Sequence, residues 1–96
     1  MSGISITETD WPGIPKRNPA FTHQDGFLVN TEKANDAIYV NPTALMVWGM
    51  CDGEITLDGI STELEQAYPE NQDQVRNDVM LAMSRLVAHG VVFLSH

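Results

Sequence analysis

Chemistry at a protein surface needs a nucleophile, a metal or titratable groups held close together, and this chain offers few candidates for any of them. The soft metal ligands are His23, His89, His96 and Cys51, on separate segments, with no C-x-x-C or H-x-x-x-H spacing to bring two ligands to one turn or helix face. Cys51 falls on the apolar stripe of a predicted helix, where a buried and inert thiol is expected. There is no G-x-S-x-G elbow and no phosphate-cradling glycine loop. The 13 acidic residues are dispersed along outward faces, and no two of them demand an acid/base role. The expectation is a protein that is not an enzyme and has no metal or cofactor, so its work must be done by a binding surface.

Composition narrows what such a surface could bind. At 96 residues the chain is read as one domain, close to the size at which a single core just sustains itself. Its formal charge of −8 repels phosphate backbones and favours basic or apolar partners, so nucleic acid is not expected. One cysteine excludes an internal disulfide. The longest apolar runs, around Ala44–Cys51 and Val91–Leu94, fall far short of the roughly 20 residues that span a bilayer. No basic stretch followed by a long apolar run suggests secretion, so no membrane partner is expected and the cytoplasm is the expected location.

The elements that would carry the surface can be read in order. Residues 1–19, with Pro12, Pro15 and Pro19 and no sustained periodicity, read as an extended or disordered segment in which Trp11 and Ile14 pack locally; residues 20–96 form the domain. Phe21–His23 and Phe27–Val29 flank Asp25-Gly26, the dipeptide of tight type I′ hairpins, and Ala37–Val40 follows as a third strand after the polar loop Glu32–Asp36. Asn41 caps a helix with Pro42 at its first position, apolar through Leu45, Trp48 and Cys51 and stopped by Asp52-Gly53. Thr56 opens a second helix, Leu57–Tyr68, with Leu57, Ile60, Leu64 and Ala67 on one stripe before Pro69. A third, the longest, starts near Asn71 with Gln74 as capping-box partner and ends at Gly90. Val91–Leu94 supplies a short terminal strand. The fold class is α+β and winged helix-turn-helix-like: a three-stranded N-terminal antiparallel sheet, three helices and a short C-terminal strand.

Two surface features stand out. On the third helix Val75, Val79, Ala82 and Leu86 form a core stripe, and one flank continues through Met83, Arg76, Val87 and Met80, widening the apolar arc to roughly 160°. That flank either covers the sheet or the N-terminal segment, or forms a groove for an apolar partner. The third strand lies at an edge, and Ala37, Ile38, Tyr39 and Val40 include no Lys or Pro to discourage pairing with an added strand.

Several short motifs, taken in order, give a family resemblance. They are Pro15-Lys16-Arg17-Asn18-Pro19, Val40-Asn41-Pro42-Thr43-Ala44, Trp48-x-Met50-x-Asp52-Gly53 with Ile55-Thr56, and Asp78-Val79 through Leu86-Val87-Ala88-His89-Gly90-Val91-Val92. Over about four fifths of its length the chain resembles the PqqD-like family, peptide-recognition domains of ribosomal peptide natural-product biosynthesis. The loop Thr31–Asp36 lacks the longer arginine-containing segment of the quinone-pathway members, so the resemblance is to the broader family. The resemblance implies a non-enzymatic winged-helix module that captures the leader region of a precursor peptide as an added strand. It would then present the peptide to a modifying enzyme: a radical S-adenosylmethionine protein, a leader protease or another maturase. It puts Ala37, Ile38, Tyr39 and Val40 along the peptide backbone, and Val75, Arg76, Val79, Met80 and Met83 along its side chains.

Two other functions share this architecture. One is a winged-helix nucleic-acid-binding regulator, which should line its recognition helix with Arg and Lys; here that helix carries Asp73 and Asp78, and Arg76 and Arg85 lie about 180° apart on it. The other is a structural subunit donating its edge strand to another copy or to an enzyme. The acidic balance predicts that an electrophoretic shift assay at low salt will show no retardation of duplex DNA, and tight retardation would reinstate the regulator reading.

Overall fold

A computed structural model describes residues 10–33 and 36–95. The expectations for residues 1–9, and part of that for the loop Glu32–Asp36, lie outside the described residues, as does His96. The chain runs β1 (Ile14–Arg17), β2 (Phe21–Gln24), β3 (Phe27–Asn30), β4 (Ala37–Tyr39), α1 (Pro42–Gly49), α2 (Leu57–Ala67), a 3₁₀ turn (Pro69–Asn71), α3 (Gln72–Ala88) and β5 (Val92–Ser95). It is an α+β fold with two small antiparallel sheets, β2-β3-β4 and β1-β5.

Local chemistry accounts for most of these elements. Asp25 and Gly26 both take positive φ, 50° and 84°, as a type I′ turn requires, and the hairpin they close pairs Gln24 with Phe27 and Phe21 with Asn30. The Asn41 side chain accepts from Ala44 N at 2.8 Å, and Thr56 Oγ1 accepts from Gly59 N at 3.0 Å, so both expected N-caps form. At the end of α3, Gly90 (φ 72°) makes a Schellman turn in which Val91 N donates to Leu86 O at 2.9 Å and Gly90 N to Val87 O at 3.1 Å.

Four details differ from the sequence reading. Helix α1 stops at Gly49, ahead of Asp52-Gly53, and its core stripe is Ala44, Val47 and the following Cys51, with Leu45 and Trp48 half-buried. Asp52 instead closes the connection beyond it, its Oδ1 accepting from Glu54 N and Ile55 N at 2.9 and 3.1 Å. Those two N–H groups hold its carboxyl below the usual carboxylate range. Ala67 is exposed on α2, whose buried residues are Leu57, Ile60, Ser61 and Leu64. Helix α3 is entered through the 3₁₀ turn with no side-chain cap from Asn71, because Pro69 already starts the turn.

The fourth difference concerns Ile14–Arg17. This proline-flanked stretch is a strand, and it lies between two partners. On one side it pairs with β5, Pro15 opposite Leu94 and Arg17 opposite Val92. On the other, Arg17 N donates to Cys51 O at 2.9 Å and Gly53 N donates to Pro15 O at 3.0 Å. Its last residue and the next then clamp two helix ends. Arg17 Nη1 donates to Gly49 O at 2.6 Å with its guanidinium 5.6 Å from the Trp48 ring, and Asn18 Nδ2 donates to Gly90 O at 2.9 Å. Upstream, Gly13 O and Trp11 O accept from Leu57 N and Asp58 N, the first amides of α2. The core therefore includes Trp11 and Pro15 along with Leu28, Val47, Leu57, Ile60, Val79, Met83 and Leu86.

Asn18 also orders its own turn, accepting from Ala20 N at 3.0 Å. Replacing it by Ala leaves two part-buried backbone groups without partners, so Asn18→Ala should cost about 1–3 kcal/mol in urea unfolding, with Glu54→Gln close to wild type as control.

Candidate functional site

Strand β4 is the free edge of its sheet, and its pairing fixes what that edge displays. Asn30 N donates to Asp36 O at 2.9 Å and Val40 N to Gly26 O at 3.0 Å. In an antiparallel ladder main-chain groups alternate in direction, so Ile38 turns its N–H and C=O toward β3 while Ala37 and Tyr39 turn theirs to the open edge. The side chains alternate too. Ile38 and Val40 are buried beneath the sheet, whereas Ala37 and Tyr39 are exposed, Tyr39 edge-on to Phe27 with ring centroids 5.8 Å apart.

The helix face that meets the end of this strand is not the methionine flank. Where β4 runs into α1, Asn41, Thr43 and Ala44 form one wall of a cavity of about 230 Å³ whose other wall is Asp78, Leu81, Ala82 and Arg85 of α3. Arg76 and Met80 lie about 160° round the helix from Asp78. The Arg76 guanidinium sits over the Trp11 ring at 4.1 Å, with Nη1 3.4 Å from Asp58 Oδ1 and 3.5 Å from Glu65 Oε2. Met80 is half-buried against the core, and Val79 and Met83 have no exposed surface. Of the residues expected along peptide side chains, Val75 lines a cavity on the open side of α3. On this flank Arg76 packs on Trp11 of the N-terminal segment and reaches Asp58 and Glu65 of α2, while Met80 and Val87 pack against the core.

Leu81 is the residue that sequence reasoning passed over. At 62 % exposure it is the most exposed large apolar side chain among those described, and it stands between two charges, Asp78 and Arg85. The signal was present as a leucine off the core stripe. It carried no weight because the wider apolar arc lay on the opposite flank.

Among the described residues no group of three or more His, Cys, Asp or Glu side chains is placed to hold a metal ion, and no helix is long and apolar enough to cross a membrane. An α+β domain with an open strand edge, and a cavity against α3 where that strand runs into α1, has the features of a binding module. The family model for coenzyme PQQ synthesis protein D (PqqD) matches residues 26–92, well over half of the chain, and the chain belongs to that family. Membership supports a peptide-recognition role in the biosynthesis of PQQ or other ribosomally made, modified peptides, performed by an accessory protein alongside a modifying enzyme. No curated protein matches the chain.

The single thiol lies away from this surface. Cys51 is fully buried, its Sγ donating to Val47 O at 3.1 Å. Burial pushes its pKa up to about 12, against a smaller opposing pull from Arg17. An unfolded thiol ionises near 9.0, so the favourable contribution of the neutral buried form is complete below that pH and is lost as pH rises toward 12. Labelling of native protein by a thiol reagent at pH 8 should proceed only at the rate of unfolding, and become fast in denaturant.

Proposed function

We propose that this protein captures the leader region of a ribosomally made precursor peptide as a strand added to the open edge of β4, and presents it to a peptide-modifying enzyme in the cytoplasm. The observation that carries the reading is the pair of edge-facing residues, Ala37 and Tyr39, each with an N–H and a C=O turned outward on a strand that leads into the cavity between α1 and α3. Strand addition uses such groups for affinity and neighbouring side-chain pockets for selectivity. Each main-chain hydrogen bond contributes only about 0.5–1.5 kcal/mol net, so selectivity has to come from the helix.

In this reading Ala37 and Tyr39 meet the peptide backbone, while Ile38 and Val40 hold the strand in phase from below. Val75, Asp78, Leu81, Ala82 and Arg85 line its path on α3. Val79, Met80 and Met83 support that face from the core, and Arg76 holds the helix to Trp11 and α2. The module thus works in the manner of a winged-helix peptide chaperone. The maturase it serves is a radical S-adenosylmethionine protein, a leader protease or another peptide-modifying enzyme. The nucleic-acid reading gains nothing from α3, whose open side displays Asp78 as well as Arg85.

Titration calorimetry with the leader of the precursor encoded beside this protein tests the proposal. Tyr39→Pro removes one edge N–H without touching the β3 ladder and should weaken binding up to about tenfold. Leu81→Glu should weaken it at least as much, by setting a charge against an apolar contact. Glu63→Gln, on the exposed side of α2, should leave it unchanged. Equal affinities for all variants would refute strand capture at β4.

A further inference from the structure

Beyond the groove at the end of β4, toward the start of α3, a second and larger cavity of about 420 Å³ opens between the three helices. Leu64 and Val75 form its floor, and Met46 and Tyr68, large apolar side chains left 38 % and 49 % exposed, stand at its mouth. It shares two residues, Thr43 and Asp78, with the smaller cavity, so the two adjoin along α3. A packed domain has no structural need to leave Met46 and Tyr68 facing an open apolar space.

Asp78 stands at the junction. Its carboxylate is half-buried, and no hydrogen bond or ion pair to a described residue satisfies it. The nearest basic residue on the same side of the helix is Arg85, two turns away and about 10 Å along the axis. A carboxylate on the rim of an apolar cavity, in a chain of formal charge −8, favours a cation beside whatever enters. Arg85 lines the smaller cavity and repels a cation there.

We propose that the 420 Å³ cavity holds an aromatic or large aliphatic side chain of the same peptide, with a neighbouring lysine or arginine laid over Asp78. The proposal rests on the strand-addition reading and adds its selectivity. The edge of β4 accepts any extended backbone, and the cavity chooses among backbones by an apolar residue next to a basic one, outside the strand-paired stretch. The wall that the two cavities share assigns the larger one to the same peptide rather than to a separate ligand, and the unpartnered carboxylate sets the charge of the neighbour.

The full chain, labelled on methionine methyls and backbone amides, is titrated by NMR with two probes, acetyl-Lys-Phe-amide and acetyl-Glu-Phe-amide. The Met46 methyl and the Tyr68 amide should shift saturably, the lysine probe should bind about threefold tighter, and Asp78→Asn should erase that difference. Probes that shift neither reporter, or bind with equal affinity, overturn the proposal. Titration of the same sample with the leader peptide separates the two readings. A Met46 shift without hydrogen-exchange protection of the Tyr39 amide would defeat strand addition and leave the cavity assignment standing. Protection of Tyr39 without a Met46 shift would defeat the cavity assignment alone.

Discussion

The fold depends on the way β1 ties together elements that have no direct reason to meet. It joins β5, which follows α3, to the connection that follows α1, and its end carries two adjacent polar side chains that bond two different helix ends. Arg17 meets the terminal carbonyl of α1, where the helix dipole is negative and a cation is favoured, and packs its plane near Trp48. Asn18 meets the carbonyl of Gly90, where the left-handed turn has already ended α3. A domain of this size has little apolar area to spare, and these bonds set where α1 and α3 stop relative to each other.

The motifs that bear the family resemblance converge on this clamp. Pro15 through Asn18, Trp48, Asp52-Gly53 and His89-Gly90-Val91 either belong to it or shape the turns it holds. The open strand edge and the cavities along α3 use other residues, Ala37, Tyr39, Met46, Tyr68, Asp78 and Leu81. In the proposed reading architecture and recognition are therefore carried by different positions, which allows one scaffold to present different grooves. It also explains why the motifs point firmly to a family and say little about a ligand.

The expected peptide contacts illustrate what a helical wheel can and cannot convey. Val75, Val79 and Met83 were correctly grouped as apolar, and the wide arc through Arg76 and Met80 is real. Yet periodicity gives angles about one axis and contains no reference direction. On that arc Arg76 stacks on the Trp11 indole and reaches two α2 carboxylates, while Met80 and Val87 pack against the core. Periodicity left open whether the N-terminal segment or a partner meets that flank, and the stacking of Arg76 on Trp11 decides it for that residue.

What the sequence determined alone was whatever a few adjacent residues decide through their own backbone preferences and hydrogen bonds. That includes the Asp25-Gly26 hairpin, the Asn41 and Thr56 caps, the Gly90 stop and the inward phase of the long helix, along with the short apolar runs that make β4 and β5. Tertiary structure decided the rest. It made a strand of Ile14–Arg17, because partners 34 or more residues away supply its hydrogen bonds. It turned Ala37 and Tyr39 to the open edge, through register with β3. It brought Met46, Tyr68 and Asp78 around one space, because α1, α2 and α3 meet there. Those outcomes depend on which distant surfaces come into contact, and no local preference encodes a direction in space.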